Sequence, residues 1–428
     1  MKILFYNHTG KASGAERLLL MILSRLDRGR FDPVVVCPGQ ETLSKLVSDL
    51  GVAVETVAGL DARFTWRADY LVRYLRSFYQ VINQVRRKAI DIQPDLIHAN
   101  SIRSGLVATA ATFGLETKVV WHLHDLLPRH PLSTMIRALA LLSRRTRMIA
   151  VSQAVADNFR GAVFPLRKRI SVILNAVDLD QFHTAPNAKQ EKRDELQLNK
   201  AEPLLGIVGQ ITPRKGQLEL LRAFAQVLIE VPHAMLLVVG APLFNRDHEY
   251  LELLNKTASE LGIRQSVRML GSRSDIAALM QALDLLVINS SAEPFGLVAL
   301  EAMACGAPVL AAATGGLSEI IEHGKDGWLF PLRDEKALAA AMVSLSHQPI
   351  VRARLAEEGR KKVAARFNSD RYLTELQDFY IQNDLKLRRS EEACDAGDSI
   401  EPGVEGSGTP GTLDQRKEPA KRATALAR

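Results

Sequence analysis

Two runs of alternating strand and helix patterns constrain the fold of this chain more than any other feature. In the first run, short β-branched segments such as 3–6, 33–37 and 96–99 are each followed by a longer stretch of helical periodicity. Such alternation predicts parallel sheets built from βαβ units, with ligand sites at the carboxyl ends of the strands. After a polar, turn-rich segment that ends near residue 200, a second run has strand patterns at 204–208, 234–239, 267–270, 285–288 and 308–311.

The length agrees with two domains. At 428 residues the chain exceeds the size at which a single hydrophobic core stops growing. We therefore predict two Rossmann-like α/β domains, at residues 1–185 and 186–380, facing an interdomain cleft. From about residue 388 the composition changes to Glu, Gly, Ser, Pro, Lys and Arg, which predicts a disordered tail over 388–428.

The same sequence argues against a membrane span and against a zinc site. No stretch reaches the roughly 18 consecutive apolar residues that a span needs, and the N-terminus has the pattern of a strand, so we predict a cytoplasmic location. The cysteines Cys37, Cys305 and Cys394 are scattered and odd in number, which disfavours a disulfide framework or a zinc cluster.

Positive charge is concentrated in the first half. Residues 1–185 hold 25 Lys and Arg against 15 Asp and Glu, a net +10, whereas the remainder holds 30 against 33, a net −3. A basic half indicates either an anionic partner such as a membrane surface or a merely solvated face. Within it, residues 63–88 interleave aromatics with arginines, as in a helix that lies on a membrane or one that packs its aromatics inward. Nucleic acid is not expected, because no recognised motif is present.

The most informative segment for chemistry is 291–306. Pro294 disfavours helix at Glu293, Gly296 permits close backbone approach, and a helical pattern follows. The amides of Phe295, Gly296 and Leu297 are therefore predicted to face an anion at a helix N-terminus, and we call this predicted site the phosphate cradle. Two carboxylates, Glu293 in the loop and Glu301 on the helix, would bracket a ligand that bears hydroxyl groups; the alternative is an ordinary acidic helix start.

A pair of cations follows the first strand of the second run. Arg214 and Lys215 lie between that strand and a helix, at the edge of the sheet where its ligand is expected. A diphosphate carries enough charge to use both cations, although a solvated turn would have the same sequence. Two cations can neutralise a diphosphate without a metal ion. Asp178 and Asp180, which form the one Asp-x-Asp pattern of the sequence, belong to a turn far from the predicted phosphate cradle.

A cluster of titratable side chains follows the strand pattern at 119–122. His122, His124 and Asp125 are predicted at its carboxyl end, where a functional role is more probable than for a single histidine.

These motifs together resemble glycosyltransferase family 4, a family of retaining enzymes with the GT-B fold. The resemblance covers about residues 1–380. It is carried by Glu293-Pro-Phe-Gly-Leu with Glu301 eight positions on, by the Arg214-Lys215 pair and Gly315-Gly316, by the run 323–330, and by the segments 13–17, 94–100, 124–128 and 174–178.

The resemblance implies a role for each matching position. Arg214 and Lys215 would hold the donor diphosphate with the Gly296 and Leu297 amides, Glu301 the ribose and Glu293 the donor sugar, while His124 would lie near the reacting sugar. The nucleotide base would contact Gly271, Ser272 and Arg273. The acceptor side would include Gly14, Ala15, Glu16, Asn100, Arg103, His122 and Asp125.

The implied activity is retaining transfer of a hexose from a nucleotide-sugar, UDP- or GDP-linked, to a glycolipid, lipid-linked or polysaccharide acceptor in cell-surface glycan synthesis, such as that of lipopolysaccharide. It implies no cofactor and no metal, and leaves room for peripheral contact with an anionic membrane through the basic half. Alternatives are a GT-B epimerase or phosphorylase, and a noncatalytic relative. A dinucleotide-dependent oxidoreductase is a weaker alternative, because Gly10 and Gly14 do not have the Gly-x-Gly-x-x-Gly spacing.

Overall fold

The first half of the chain forms a parallel sheet whose strands are joined by helices. The computed structural model describes residues 1–397 except 12, 40, 61–67, 199–201 and 243–244. In the described part, the strands are β1 (Lys2–Tyr6), β2 (Asp32–Pro38), β3 (Ala53–Val57), β4 (Leu96–Ala99), β5 (Lys118–Leu123), β6 (Thr146–Ala150) and β7 (Ile170–Val172). The helices are α1 (Gly14–Arg25), α2 (Thr42–Asp49), α3 (Ala68–Ile92), α4 (Ile102–Ala111), α5 (Pro131–Leu142) and α6 (Gln153–Arg160).

A second parallel sheet follows after helix α7 (Ala188–Glu195). Its described strands are β8 (Leu204–Val208), β9 (Met235–Val239), β10 (Val267–Gly271), β11 (Leu285–Ile288), β12 (Val309–Ala312) and β13 (Trp328–Phe330). The helices are α8 (Gln217–Glu230), α9 (Asn245–Glu260), α10 (Ile276–Ala282), α11 (Leu297–Ala304), α12 (Leu317–Ile320), α13 (Glu335–Ser346), α14 (Pro349–Arg366) and α15 (Ser369–Gly397).

Strand order explains where loops can form a binding crevice. The orders are β3-β2-β1-β4-β5-β6-β7 and β10-β9-β8-β11-β12-β13. In the first sheet, successive strands are added on one side of β1 up to β3 and on its other side from β4 onward. The second sheet has the same change of side between β8 and β11. At such a switch point the loops leave the two strands on opposite faces, so a crevice opens beyond their carboxyl ends.

Serine side chains start two helices at this edge of the first sheet. Ser101 Oγ accepts a hydrogen bond from the Ser104 amide (3.0 Å), and Ser152 Oγ accepts one from the Val155 amide (3.1 Å). Each serine satisfies an amide that has no carbonyl partner in the first helical turn.

The predicted parallel sheets are confirmed, while three strands were not predicted. β3, β7 and β13 each lie at the edge of a sheet. Edge strands have one unpaired side and are only partly buried, so they lack the continuous apolar run that marks a central parallel strand. The prediction of a disordered tail from residue 388 is wrong for 388–397, because α15 continues to Gly397; residues 398–428 lie outside the described residues.

The apolar core joins the two sheets. One cluster of buried side chains includes Trp121 in the first half and Leu286 and Leu300 in the second, and a further cluster fills the other face of the second sheet. Residues Met1–Tyr380 consequently form one compact unit. A boundary at 185/186 remains a prediction.

Candidate active site

The loops that leave β8 and β11 are joined by hydrogen bonds to the backbone carbonyls of the β8 loop. Asn289 Nδ2 donates to the Gly216 carbonyl (2.9 Å), and the Ser291 amide donates to the Arg214 carbonyl (2.9 Å). Gly216 has a φ of +70°, and a Cβ there would lie 2.3 Å from the Asn289 carbonyl oxygen. Only glycine fits this contact without displacing one of the loops.

The predicted cations lie on this pair of loops. Lys215 Nζ is 2.7 Å from Glu293 Oε2, and these side chains are only 15% and 11% exposed. Arg214 is exposed and donates from Nη1 to the Ala292 carbonyl (2.9 Å). The structure thus brings the predicted diphosphate ligands against the carboxylate predicted to bind the donor sugar.

The loop of the predicted phosphate cradle is packed against Gly315 and Gly316. The Gly316 amide donates to the Glu293 carbonyl (3.0 Å), and a Cβ on Gly315 would lie 2.0 Å from that carbonyl oxygen. Phe295 is buried, and Gly296 has a φ of +111° immediately before α11 begins at Leu297. The first amides of α11 have no earlier helical carbonyl to bond, so they can receive an anion.

Glu301 lies on α11, one turn into the helix. Desolvation raises the pKa of its carboxyl from 4.5 to about 7, against the lowering influence of Arg17 and Lys215. Arg17 belongs to α1, and sequence reasoning did not select it. Because the Arg17 charge acts on Glu301, an arginine of the first half lies near the carboxylate predicted to bind the ribose.

The acceptor-side loop is held by side chains. Glu16 is 3% exposed, and its two carboxylate oxygens accept from Asn7 Nδ2 (3.2 Å) and from the Ser13 amide (3.0 Å). Asn100 Nδ2 donates to Asn7 Oδ1 (3.1 Å) and lies 3.4 Å from the Ala15 carbonyl. Glu16 therefore shapes the loop at the β1/β4 switch point.

His124 extends the same network. Its Nε2 lies 3.2 Å from Asn100 Oδ1. Because the Asn100 amide nitrogen already donates to Asn7, its oxygen faces the histidine, and this network assigns the Nε2–H tautomer to His124. Desolvation lowers the pKa of His124 to about 3, so the ring is neutral near pH 7.

Behind His124 lies a buried chain of rings. The rings of His122 and His124 have centroids 3.9 Å apart, and His122 Nδ1 lies 3.2 Å from His98 Nε2. His98 Nδ1 in turn bonds the hydroxyl of Tyr380 in α15 (2.6 Å). Desolvation lowers the pKa of His98 to about 3. It also lowers the pKa of His122 well below its ordinary value. His122 thus supports His124 from within the core.

Asp125 and Arg103 connect the two halves electrostatically. Desolvation raises the pKa of the Asp125 carboxyl, whereas Arg214 and Arg103 lower it. The Cβ position of Gly14 lies 3.9 Å from Leu297 Cδ1, so the start of α1 faces the start of α11. The predicted acceptor loop and the predicted phosphate cradle consequently lie on opposite sides of one cleft.

The residues predicted to meet the base are farther along the second sheet. Gly271 and Ser272 are exposed at the end of β10, an edge strand two positions from β8. Arg273 is engaged in ion pairs with Asp275 (2.7 Å) and Glu195 (3.3 Å). The Gly271 carbonyl accepts from the Gly240 amide (2.8 Å), and the Arg273 side chain is held in its ion pairs. A base contact at these residues stays a prediction.

Three hydrogen bonds across the cleft were not predicted from the sequence. Ser152 Oγ donates to the Pro294 carbonyl (2.6 Å), and the carboxylate of Glu319 accepts from the amides of Gln153 (2.8 Å) and Ala154 (2.7 Å). A carboxylate at a helix N-terminus is favoured by both hydrogen bonding and the helix dipole. We call these contacts of Ser152, Gln153 and Ala154 with Pro294 and Glu319 the α6 clasp.

The described residues contain neither a metal-ligand cluster nor a membrane-spanning helix. No group of three or more His, Cys, Asp or Glu side chains there is arranged to hold a metal ion. Among the helices in the described ranges, none has the length and hydropathy of a membrane span.

Two parallel-sheet domains with loops meeting at a shared cleft define the class of GT-B proteins, and the comparisons agree. The model of Glycosyltransferase Family 4 matches residues 12–181, and that of Glycosyl transferases group 1 matches residues 188–362. The crystal structure of Anabaena HepE in complex with UDP-glucose is 30% identical, covers 89% of this chain and 100% of its own, and superposes with a TM-score of 0.77. The chain belongs to glycosyltransferase family 4, and the predicted GT-B fold is confirmed.

Curated relatives have different acceptors. D-inositol 3-phosphate glycosyltransferase 2 of Catenulispora acidiphila is 35% identical over 236 residues, which are 53% of this chain and 54% of that protein. An Escherichia coli UDP-Gal:α-D-GlcNAc-diphosphoundecaprenol α-1,3-galactosyltransferase is 23% identical over 379 residues, 86% of this chain and 94% of that protein. The chain spans only about half the length of the first curated relatives it matches.

Proposed function

We propose that this protein is a retaining, metal-independent glycosyltransferase that moves a hexose from a nucleoside diphosphate sugar to a lipid-linked or glycan acceptor. The observation that carries the proposal is the joining of Arg214, Lys215 and Glu293 on two loops fused at the β8/β11 switch point. These groups lie opposite His124 and the β1/β4 loops. Related proteins whose structures contain UDP or UDP-glucose support a UDP-linked donor.

The chemistry assigned to this site starts with the donor. The bond between the anomeric carbon and the diphosphate oxygen breaks, and the electron pair leaves on that oxygen. Arg214, Lys215 and the first amides of α11 stabilise the negative charge that develops there. Fixed cations supply the stabilisation that a metal ion would otherwise give, and they need no reorganisation during the reaction.

The acceptor hydroxyl would then attack from the face that the diphosphate leaves. Its oxygen forms the new bond to the anomeric carbon, and its proton passes to the departing phosphate oxygen. Neutral His124 cannot supply an imidazolium charge at pH 7, so its assigned role is to position the donor sugar by hydrogen bonding. Glu301 would accept hydrogen bonds from the ribose hydroxyls.

The acceptor is assigned by chemical class alone. A relative named for a diphosphoundecaprenol-linked acceptor supports a lipid-linked glycan. The basic first half favours an anionic partner of that kind, in surface-glycan synthesis at the membrane. The cytoplasmic location predicted from the sequence, with peripheral membrane contact, is part of the proposal.

A donor screen tests the proposal directly. Purified protein is incubated with UDP-, GDP-, ADP- and dTDP-sugars in EDTA, and thermal stabilisation and release of the nucleoside diphosphate are measured. We expect one nucleotide to stabilise the fold and to be released slowly without metal. Stabilisation by NAD(P) alone would refute the assignment.

Variants locate the activity. Arg214→Ala and Lys215→Ala should each lower turnover by about 10²–10³-fold, as expected when one donor to a developing oxyanion is lost. Lys256→Ala is a matched control, because Lys256 is 72% exposed and pairs only with a surface glutamate of its own helix. Equal turnover in all these proteins would remove the donor-site assignment.

A further inference from the structure

Helix α5 presents an apolar face to solvent. Leu132, Met135 and Leu142 are 37%, 53% and 69% exposed. Arg137, the one charged residue of α5, is half-buried and donates inward to the carbonyls of Phe159 (2.7 Å) and Asn158 (2.9 Å). A surface helix ordinarily turns its polar residues outward, so α5 has the reverse polarity.

The inner side of α5 is already covered by the protein. Ala140 is fully buried, Ile136 packs against the core, and Ser133 and Arg137 bond backbone carbonyls there. The outer face carries no charged side chain, unlike a helix face that is normally left to water. The outer face of α5 therefore requires a partner of its own.

Basic residues surround the end of this face. Arg169 Nη1 donates to the Ser143 carbonyl (2.6 Å), just beyond the last turn of α5. Desolvation and the neighbouring charge of Arg144 lower the pKa of Arg169, and desolvation and Arg169 lower that of Arg147. Within the described ranges, Arg144, Arg147, Lys168 and Arg169 have no ion-pair partner.

The sequence shows how one-sided this charge is. Residues 129–169 contain a single Asp and no Glu. The basic residues of the segment are Arg129, Arg137, Arg144, Arg145, Arg147, Arg160, Arg167, Lys168 and Arg169.

An exposed aromatic ring and a cleft adjoin the same helix. The turn at Phe164–Lys168 packs against α5, and Phe164 is 72% exposed. A shallow cleft of about 270 Å³ lies beside it, lined by Phe164, Arg160, Arg167 and Gly161. Guanidinium groups next to an apolar ring can bind a phosphate while the ring contacts hydrocarbon.

We propose that the outer face of α5, with Phe164 and the basic residues 144–169, docks on an anionic lipid surface. We call this set of residues the α5 surface. Its apolar side chains would enter the boundary between headgroups and acyl chains, and the arginines would meet lipid phosphates. A protein partner is less well matched, because the apolar residues form a convex helix face and Asp157 is the single acidic residue among the nine cations of 129–169.

The position of α5 links this surface to the cleft. Only the loop 125–130 separates His124 from Pro131, and Ser133 Oγ holds that loop by donating to the Pro128 carbonyl (2.7 Å). Docking would therefore place the acceptor side of the cleft beside the membrane. In that respect the inference rests on the proposed lipid-linked acceptor.

A second set of exposed apolar side chains lies in the stretch 63–88, whose interleaved aromatics are also typical of a membrane helix. In α3, Tyr74 and Phe78 pack against the core, while Leu75 and Tyr79 are 55% and 70% exposed. Residues 61–67 lie outside the described residues. Leu75 and Tyr79 therefore provide a competing surface for the same experiment.

Vesicle co-sedimentation tests the proposal. The full chain is mixed with vesicles of phosphatidylcholine or of phosphatidylcholine with an equal part of phosphatidylglycerol. We expect binding to the anionic vesicles that weakens with salt, and a loss of roughly tenfold or more in affinity for Met135→Glu/Leu142→Glu. Arg167→Gln/Lys168→Gln should weaken binding to anionic vesicles only.

The control is Ile229→Glu/Ile350→Glu, because these isoleucines are 81% and 85% exposed on α8 and α14. This variant should bind vesicles as the original protein does. If it loses binding as strongly as the α5 variant, or if only Leu75→Glu/Tyr79→Glu loses it, the proposal is wrong.

Two further measurements separate the other outcomes. If light scattering shows a dimer that Met135→Glu/Leu142→Glu dissociates while vesicle binding persists, the face joins two copies and the proposal is overturned. Stabilisation by the nucleotide and its release should be unchanged in the α5 variant, which shows that it is folded. A protein that binds anionic vesicles through α5 but no nucleotide would retain this inference and lose the proposed function.

Discussion

The two switch points of the molecule are built by different means. At β8/β11 the loops are joined by hydrogen bonds to carbonyls and by the close contact of Gly216 with Asn289, and Gly315, which follows β12, packs in the same way against Glu293. At β1/β4 they are held by side chains, through Asn7, Glu16 and Asn100. Backbone construction suits a ligand part common to many substrates, such as a diphosphate, whereas side-chain construction can change with each acceptor.

The largest effect is expected when a methyl group is added to the loop after β8. In Gly216→Ala the new Cβ would lie 2.3 Å from the Asn289 carbonyl oxygen, so the fused loops must separate. We expect about 3 kcal/mol of lost unfolding free energy and at least a roughly tenfold loss of nucleotide affinity. Urea unfolding and calorimetric titration measure the two quantities.

Gly262→Ala is the matched control for this prediction. Gly262 has a φ of +68°, close to that of Gly216, but nothing lies within 4 Å of its Cβ position. It should cost only about 1–2 kcal/mol, the penalty for left-handed backbone, and leave nucleotide affinity unchanged. Equal effects of the two substitutions would mean that the fused loops do not depend on the close contact.

A second test uses the pH dependence of stability that the buried histidines near the β1/β4 switch point should cause. The folded pKa of His98, about 3, lies below its ordinary value of 6.5, so the unfolded chain binds a proton that the folded chain does not. Stability is then fully present above pH 6.5 and falls as the pH drops toward 3, by about 1.4 kcal/mol per pH unit for each such histidine. Urea unfolding between pH 7 and 5 measures the slope.

The comparison for this slope is His98→Gln, which removes one of the titrating rings. Its stability should fall less steeply with decreasing pH, whatever its absolute stability at pH 7. An unchanged slope would show that His98 is not the source.

A third test changes one atom in the network. In Asn100→Asp a carboxylate replaces the amide beside His124 Nε2, 3.2 Å away. An adjacent negative charge should raise the pKa of His124 from about 3, and loss of the bond to Asn7 should lower transfer by about tenfold. Nuclear magnetic resonance titration of the histidine and steady-state kinetics measure these effects; an unmoved His124 pKa would contradict the assigned contact.

The smallest expected effect concerns Glu301. Since desolvation raises its pKa to about 7, the carboxyl is largely protonated at pH 6 and ionised at pH 8. The ionised form accepts two hydroxyl bonds, so nucleotide affinity should rise by about three- to fivefold over this range. In Glu301→Gln only the titration of the phosphates themselves should remain, and an identical pH dependence in both proteins would argue against a ribose contact.

Much of the architecture was predictable because central parallel strands are continuous apolar runs. The strand at 285–288 and the loop after it, with Pro294 and Gly296, are local patterns that a sequence displays directly. The ion pair of Lys215 with Glu293 was not predicted, although it follows once β8 and β11 are known to be neighbours.

The remaining features depend on tertiary placement. Arg17 lies in an ordinary helical pattern, and Glu319 in a four-residue helix, so neither sequence context indicates that it faces the opposite half. Asn7 holds the acceptor-side loop because the fold brings it within hydrogen-bond distance of Asn100, which is 93 positions away in the sequence. The edge strands β3, β7 and β13 were missed because they are short or partly exposed.

The α6 clasp has a thermodynamic consequence. The loop that carries Glu293 and Pro294 is bonded to Ser152 of the first half, so any substrate that shifts one half changes the free energy with which the other half holds its ligand. Such linkage is reciprocal: if a bound donor increases acceptor affinity by some factor, the acceptor must increase donor affinity by the same factor. Cooperativity between the two substrates would thus be a property of three hydrogen bonds at the start of one helix.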